Sequence, residues 1–110
     1  MTDLTGDFNT GKLPKIAPGT VTVAIARTVT AQNRPEFEQW CHDMTEAVQH
    51  APGCLGATVL WPAKPTDPYQ MVFRFLDVLH LRQWERSDVR QQLRARADQL
   101  VESEKVTVTA

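Results

Sequence analysis

Groups able to do chemistry are sparse in this sequence, and their spacing excludes several classes of protein. His42, His50 and His80 are scattered, with no two of them at i, i+4, so no helical metal site is encoded. Cys41 and Cys54 lack the paired spacing of a zinc site or a CxxC redox motif and read as free buried thiols. Gly53 and Gly56 follow a helix instead of opening one, so they cradle no phosphate. What remains is the segment Phe73 to Arg90. Trp84 stands there between two helix starts, one capped by Asp77 and the next by Ser87. Its plainest role is a large core residue that locks both helical pieces onto a sheet. The same ring can wall a pocket between sheet and helices. His80 lies four residues before Trp84, on the same side of the helix. Exposure or a partner contact is the ordinary role of such a histidine, and general base is its functional one. Arg90 and Arg96 flank the stripe of the last helix, where their stems can cover the core edge, and a structural salt bridge is open to Arg90.

The bulk properties narrow the field further. A chain of 110 residues can build one core. A formal net charge of -1 makes no electrostatic case for nucleic acid or for an anionic membrane surface. No apolar run is long enough to cross a bilayer, and no basic-then-apolar leader opens the sequence, so a cytoplasmic location is expected. Without a ligand cluster or a dinucleotide loop, no metal, flavin or haem is expected, and the cofactor expectation is none.

The elements that must position these groups are readable from periodicity. Residues 1–19 show no period and predict an irregular arm that packs on the domain or its partner through Phe8, Leu13 and Ile16. Residues 20–110 form the domain. Val21–Val29 is a strand with Val21, Val23, Ile25 and Val29 on one face and Thr22, Ala24, Ala26 and Thr28 on the other. A helix is predicted over 34–50, with Asn33 as cap, Pro35 in the first turn, and a stripe of Phe37, Cys41, Met44 and Val48 edged by Trp40. Strands follow over 55–61 and 69–76, separated by a Pro-rich loop, and Tyr69 is placed near a sheet edge. Two helical pieces span 78–85 and 88–102, the second burying Val89, Leu93, Ala97, Leu100 and Val101, and Lys105–Thr109 closes as a short strand.

The order β-α-β-β-α-β is the ferredoxin-like arrangement, an α+β fold with a four-stranded antiparallel sheet covered by helices on one side. Apolar residues on both faces of the strands ask for a second cover, and a symmetric homodimer closed through the sheets into an α+β barrel is the economical answer.

Several fragments then carry a family resemblance across about residues 20–109. They are Val21-x-Val-x-Ile-x-Arg27, Pro35-x-Phe37-x-x-Trp40, Pro52-Gly53-x-x-Gly56, Phe73-Arg-Phe75 and Leu81-x-x-Trp84-x-x-Ser87-x-x-Arg90. In this order they resemble the antibiotic biosynthesis monooxygenase superfamily of dimeric α+β barrels. Haem-degrading members use an Asn on the first strand, a Trp where Trp84 stands and a His ten residues later. Here Ala26 and Arg94 occupy the outer two places, and a guanidinium does not ligate iron as a neutral imidazole does. The other activity the resemblance implies is cofactor-independent oxygenation of a planar aromatic or quinol, in which the substrate supplies the electrons. The protein then stabilises an anion and excludes water. Trp84 would donate its indole N–H to that anion, with a strand arginine, Arg74 or Arg27, as the cation. The expected catalytic residues are Trp84 and Arg74, and the expected pocket residues are Ala26, Phe73, His80 and Arg90. The main rival expectation is a non-catalytic dimeric barrel that binds a small aromatic or other apolar ligand, or a protein partner, and a third is an isomerase or decarboxylase using the same pocket with a different base.

Overall fold

The computed structural model describes residues 19–110, so the arm expected over 1–19, with Phe8, Leu13 and Ile16, lies outside the described residues except for Gly19. The elements are β1 (Val21–Val29), a 3-10 turn (Ala31–Asn33), α1 (Arg34–Gln49), β2 (Cys54–Leu60), β3 (Tyr69–Phe75), α2 (Val78–Arg86), α3 (Asp88–Leu100) and β4 (Val101–Thr109). The strands form one four-stranded sheet in the order β2-β3-β1-β4, antiparallel at every pairing. This is the expected ferredoxin-like α+β fold, with its second helix broken into α2 and α3.

Period two decides which strand residues reach the helices. Val21, Val23, Ile25 and Val29 of β1 join Met71, Phe73 and Phe75 of β3 in the core, against Phe37, Trp40, Cys41, Met44 and Val48 of α1. Leu81 and Trp84 of α2 and Leu93, Ala97 and Leu100 of α3 complete it. The opposite sheet face is more mixed than the sequence led us to expect. Thr22 and Val72 are buried on it and Leu60 is exposed, but Thr58, Gln70, Lys105 and Thr107 are exposed polar residues.

Four local expectations are corrected. The Asn33 side chain does not cap α1, because its amide Nδ2 donates instead to the Leu100 carbonyl at 3.2 Å and ties the start of α1 to the end of α3. α3 stops at Leu100, and β4 begins at Val101 instead of Lys105, since pairing along β1 satisfies more backbone than another helical turn. Val89 is 51% exposed and off the buried stripe. Tyr69 begins β3, but β3 is an interior strand, so the ring is buried at 3% exposure.

The two caps behave as their residue types predict. The Asp77 carboxylate accepts from the His80 backbone N–H at 2.9 Å, and the Ser87 hydroxyl oxygen accepts from the Arg90 N–H at 3.2 Å. Ser87 also donates to the Trp84 carbonyl at 2.7 Å, so the last turn of α2 and the first of α3 share one side chain. Gly53 allows the helix-to-strand turn before β2 with φ +81°, where the ring of His80 lies so close that a Cβ would collide with it.

Candidate functional site

A pocket opens between the sheet and the helices on the β4 side. Val23, Ile25 and Arg27 of β1, Phe73 of β3, and Glu104 and Val106 of β4 give its sheet wall. Trp40 and Met44 of α1, Leu81, Trp84 and Glu85 of α2, and Arg90 and Arg94 of α3 give the other. The cleft is ≈ 460 Å³ including its solvent-filled mouth, and the space that admits a water-sized group is ≈ 40 Å³. The latter holds one or two waters and is well below what an aromatic ring needs. Helices do not cover β4 fully, so Val106 and Val108 are 51% and 53% exposed although their pairing with Ile25 and Val23 puts them on the helix side.

The wall is apolar except for Glu85, Arg90 and a chain of charges that starts at Arg27. Arg27 is only 4% exposed. Its guanidinium stands over the Trp40 ring, 4.8 Å from the centroid, a favourable position for a cation. Its counter-ion is Glu104, at 3.8 Å, beyond hydrogen-bonding distance. The same carboxylate oxygen lies 3.5 Å from Arg94, which also pairs with Asp98 at 3.1 Å. The Arg27 Nε is buried with no acceptor. Burial lowers the pKa of Arg27, and the Glu104 charge opposes that shift.

Trp40 is the residue the sequence undervalued. It sits at the centre of the core, 1% exposed, instead of at the stripe edge. It stacks on Phe37 at 5.3 Å and donates its indole N–H to the Leu93 carbonyl at 2.8 Å, joining α1 to α3. Beyond Phe37 the rings continue through Tyr69 to the half-exposed Trp61. The Tyr69 hydroxyl donates to Glu38 at 2.7 Å, and burial together with that carboxylate pushes its pKa up to about 12. Cys41 is likewise pushed up to about 12 by burial, so it is a neutral thiol and no nucleophile at neutral pH.

The structure brings together Trp84, Phe73 and Arg90 of the expected site residues. Trp84 is 5% exposed, and its indole N–H makes no hydrogen bond among the described residues. Arg74 and Ala26 do not reach this pocket. They alternate with Phe73 and Ile25, so they project from the opposite sheet face, where Arg74 lines a separate hollow of ≈ 280 Å³ with Gly56, Thr58 and Val72. His80 also stays outside: its ring packs on Gly53, and Nδ1 lies 2.7 Å from the Asp77 carboxylate, which the His80 backbone N–H and ring hold below the usual carboxylate range. The strand arginine that faces the pocket is Arg27. Strand parity in the sequence gives it away, because it follows Ile25 at an interval of two. Glu85, Glu104 and Arg94 had no such signal: the ferredoxin-like order sets β4 beside β1, but a strand expected to begin at Lys105 left Glu104 outside it. Among the described residues no group of three metal-binding side chains occurs, and no helix is long and apolar enough to cross a membrane.

Fold and cleft together define a ferredoxin-like α+β domain with a pocket between its sheet and helices. The chain belongs to the antibiotic biosynthesis monooxygenase family, whose model matches residues 20–96. No curated protein sequence matches it. Solved structures that it resembles include a conserved protein of unknown function from Bacteroides thetaiotaomicron, at 14% identity and TM-score 0.77, covering 84% of this chain and 98% of that one. Rv0793 from Mycobacterium tuberculosis aligns at 18% identity and TM-score 0.76, over 83% and 93% of the two chains. SnoaB, a cofactor-independent oxygenase from Streptomyces nogalater, aligns at 16% identity and TM-score 0.75, over 84% and 92%. At these identities the likeness is one of fold.

Proposed function

We propose that the protein is a cofactor-independent monooxygenase of the cytoplasm, acting on a planar aromatic or quinol in the pocket under Trp84. The observation that carries this reading is that Trp84, whose indole N–H has no partner among the described residues, and the buried guanidinium of Arg27 line one pocket with a largely apolar wall. A hydroxyaromatic substrate loses its proton, the resulting anion reduces molecular oxygen, one oxygen atom enters the carbon framework and the other leaves as water. Trp84 donates to the anionic oxygen, and the arginines oppose its charge. Of the pocket carboxylates, Glu104 is held by Arg27 and Arg94, whereas Glu85 forms no ion pair among the described residues and is the group free to accept the proton. The membership of the family and the SnoaB-like fold support the class. A homodimer closed through the sheet faces completes the barrel in this reading, supported by membership of a family of dimeric barrels.

The test is oxygen consumption with a panel of anthrones and hydroquinones, comparing the wild type with a folded Trp84→Phe variant. Uptake by the wild type that falls about 10²–10³-fold in the variant is the expected result. Equal activity in both removes Trp84 as the donor. The small enclosed volume, ≈ 40 Å³, favours a second reading, a non-catalytic barrel that binds an apolar ligand or a protein partner. Ligand binding with no oxygen uptake across the panel selects it.

A further inference from the structure

Arg27 is an unusual group to find inside a domain. A guanidinium carries five N–H donors and none of its protons can be given up. Here it is 4% exposed and donates no hydrogen bond among the described residues. Its Nε is sealed from solvent without an acceptor, and the one carboxylate beside it stands at 3.8 Å and is shared with Arg94. A purely structural arginine at this depth would be expected to hold its counter-ion in a close, bidentate pair. Leaving it under-coordinated costs stability, and such a cost persists where a ligand removes it.

We infer that Arg27 is the anchor for an anionic oxygen on the ligand, a carboxylate or an ionised hydroxyl borne by a planar apolar body, and that Glu104 is a placeholder that yields to it. The surroundings fit such a molecule. The rest of the lining is mainly aliphatic and aromatic, with Ile25, Phe73, Leu81 and Trp84 against the body of the ligand. Trp40 fixes the guanidinium from one face at 4.8 Å and cannot compete for it as an acceptor. Glu104 has a second home, because Arg94 already lies 3.5 Å from its carboxylate. It can therefore leave Arg27 without becoming an unpaired charge. The half-exposed Val106 and the exposed Glu85 form a rim that can shift to admit a body larger than the enclosed void. This inference rests on the pocket being the working site, but it concerns binding and not turnover.

The experiment is calorimetric titration of the full chain with 2-naphthoate and its neutral isostere 2-naphthamide. The wild type should prefer the anion by about tenfold or more, the span of one charge-assisted hydrogen bond. Arg27→Met should erase the preference while keeping the naphthamide affinity, and Arg27→Lys should restore part of it. Glu104→Gln, which removes the competing carboxylate, should tighten naphthoate alone. A nitronaphthol, whose ionised form is read by visible absorption, separates the two ligand types: a gain of the phenolate band on binding supports an ionised hydroxyl, and naphthoate preference without that gain supports a carboxylate. No naphthoate binding at millimolar concentration, or a preference that survives in Arg27→Met, overturns the inference. If Arg27→Met does not fold, a naphthoate affinity unchanged or weakened in Glu104→Gln overturns it. An anion preference without oxygen uptake leaves the anchor standing and removes the oxygenase; uptake with no preference does the reverse.

Discussion

Replacing Trp40 with Phe isolates what one indole does for the whole domain. Three losses add. The hydrogen bond to Leu93, 2.8 Å long and fully buried, is deleted. Its net value is about 1 kcal/mol, and the carbonyl left behind is still bonded within α3, so no large penalty follows. Shrinking a side chain that is 1% exposed leaves a void against Phe37 and the sheet, for roughly 1–2 kcal/mol. A phenyl ring holds the Arg27 guanidinium less well than an indole, for about 0.5–1 kcal/mol. The sum is about 3 kcal/mol, or a fall in Tm of roughly 10–20 °C for a domain of this size. Urea unfolding followed by far-UV circular dichroism measures it, and a double-mutant cycle with Arg27→Met gives the ring–guanidinium share as a coupling of about 0.5–2 kcal/mol. A loss below about 1 kcal/mol, or zero coupling, would show that Trp40 neither ties α1 to α3 nor supports Arg27.

Ser87→Ala removes the cap of α3 and the link to the Trp84 carbonyl, and should lower stability by about 1 kcal/mol in urea titration, with Ser87→Asp recovering most of it. Gly53→Ala meets both a positive φ and the ring of His80, so it should cost about 2 kcal/mol or more; a neutral result would mean that the turn relaxes freely. The Asp77 carboxylate is held low by the His80 backbone N–H and ring, so its contribution is present above the unfolded value of about 3.9 and disappears as pH falls through the lower folded value. Carboxyl-carbon NMR should place its midpoint below that of an unfolded peptide, and an equal midpoint would remove the cap from the acid side of the stability profile.

Most of the architecture was legible because it rests on local periodicity. Phe37, Cys41, Met44 and Val48 recur at helical spacing and are all buried, and Asp77 and Ser87 cap where their types say they should. The junction of α3 with β4 was not legible, since Val101-Glu-Ser-Glu104 alternates no better as a strand than as a helix and its partner β1 lies far away in sequence. The site was half legible. Trp84, Phe73 and Arg90 could be named from one segment, but Arg27, Glu104 and Arg94 meet only after the sheet has formed. Naming Arg74 beside Phe73 ignored the alternation of a strand, which sends neighbours to opposite faces. The same rule applied to Ile25 leads to Arg27.

The pairing of β1 also governs the order in which this chain can be finished. β1 is an interior strand, made before all others among the described residues, yet one of its two neighbours is β4, which begins roughly seventy residues later. At about 5–20 residues per second of synthesis, its hydrogen-bonding edge waits on the order of 4–14 s for that neighbour to emerge. During that interval β1 exposes an unpaired row of amides and carbonyls beside Val23 and Ile25, a surface suited to unwanted strand pairing. A nascent chain halted before Val101 should therefore be captured by holdase chaperones far more strongly than the same chain released complete.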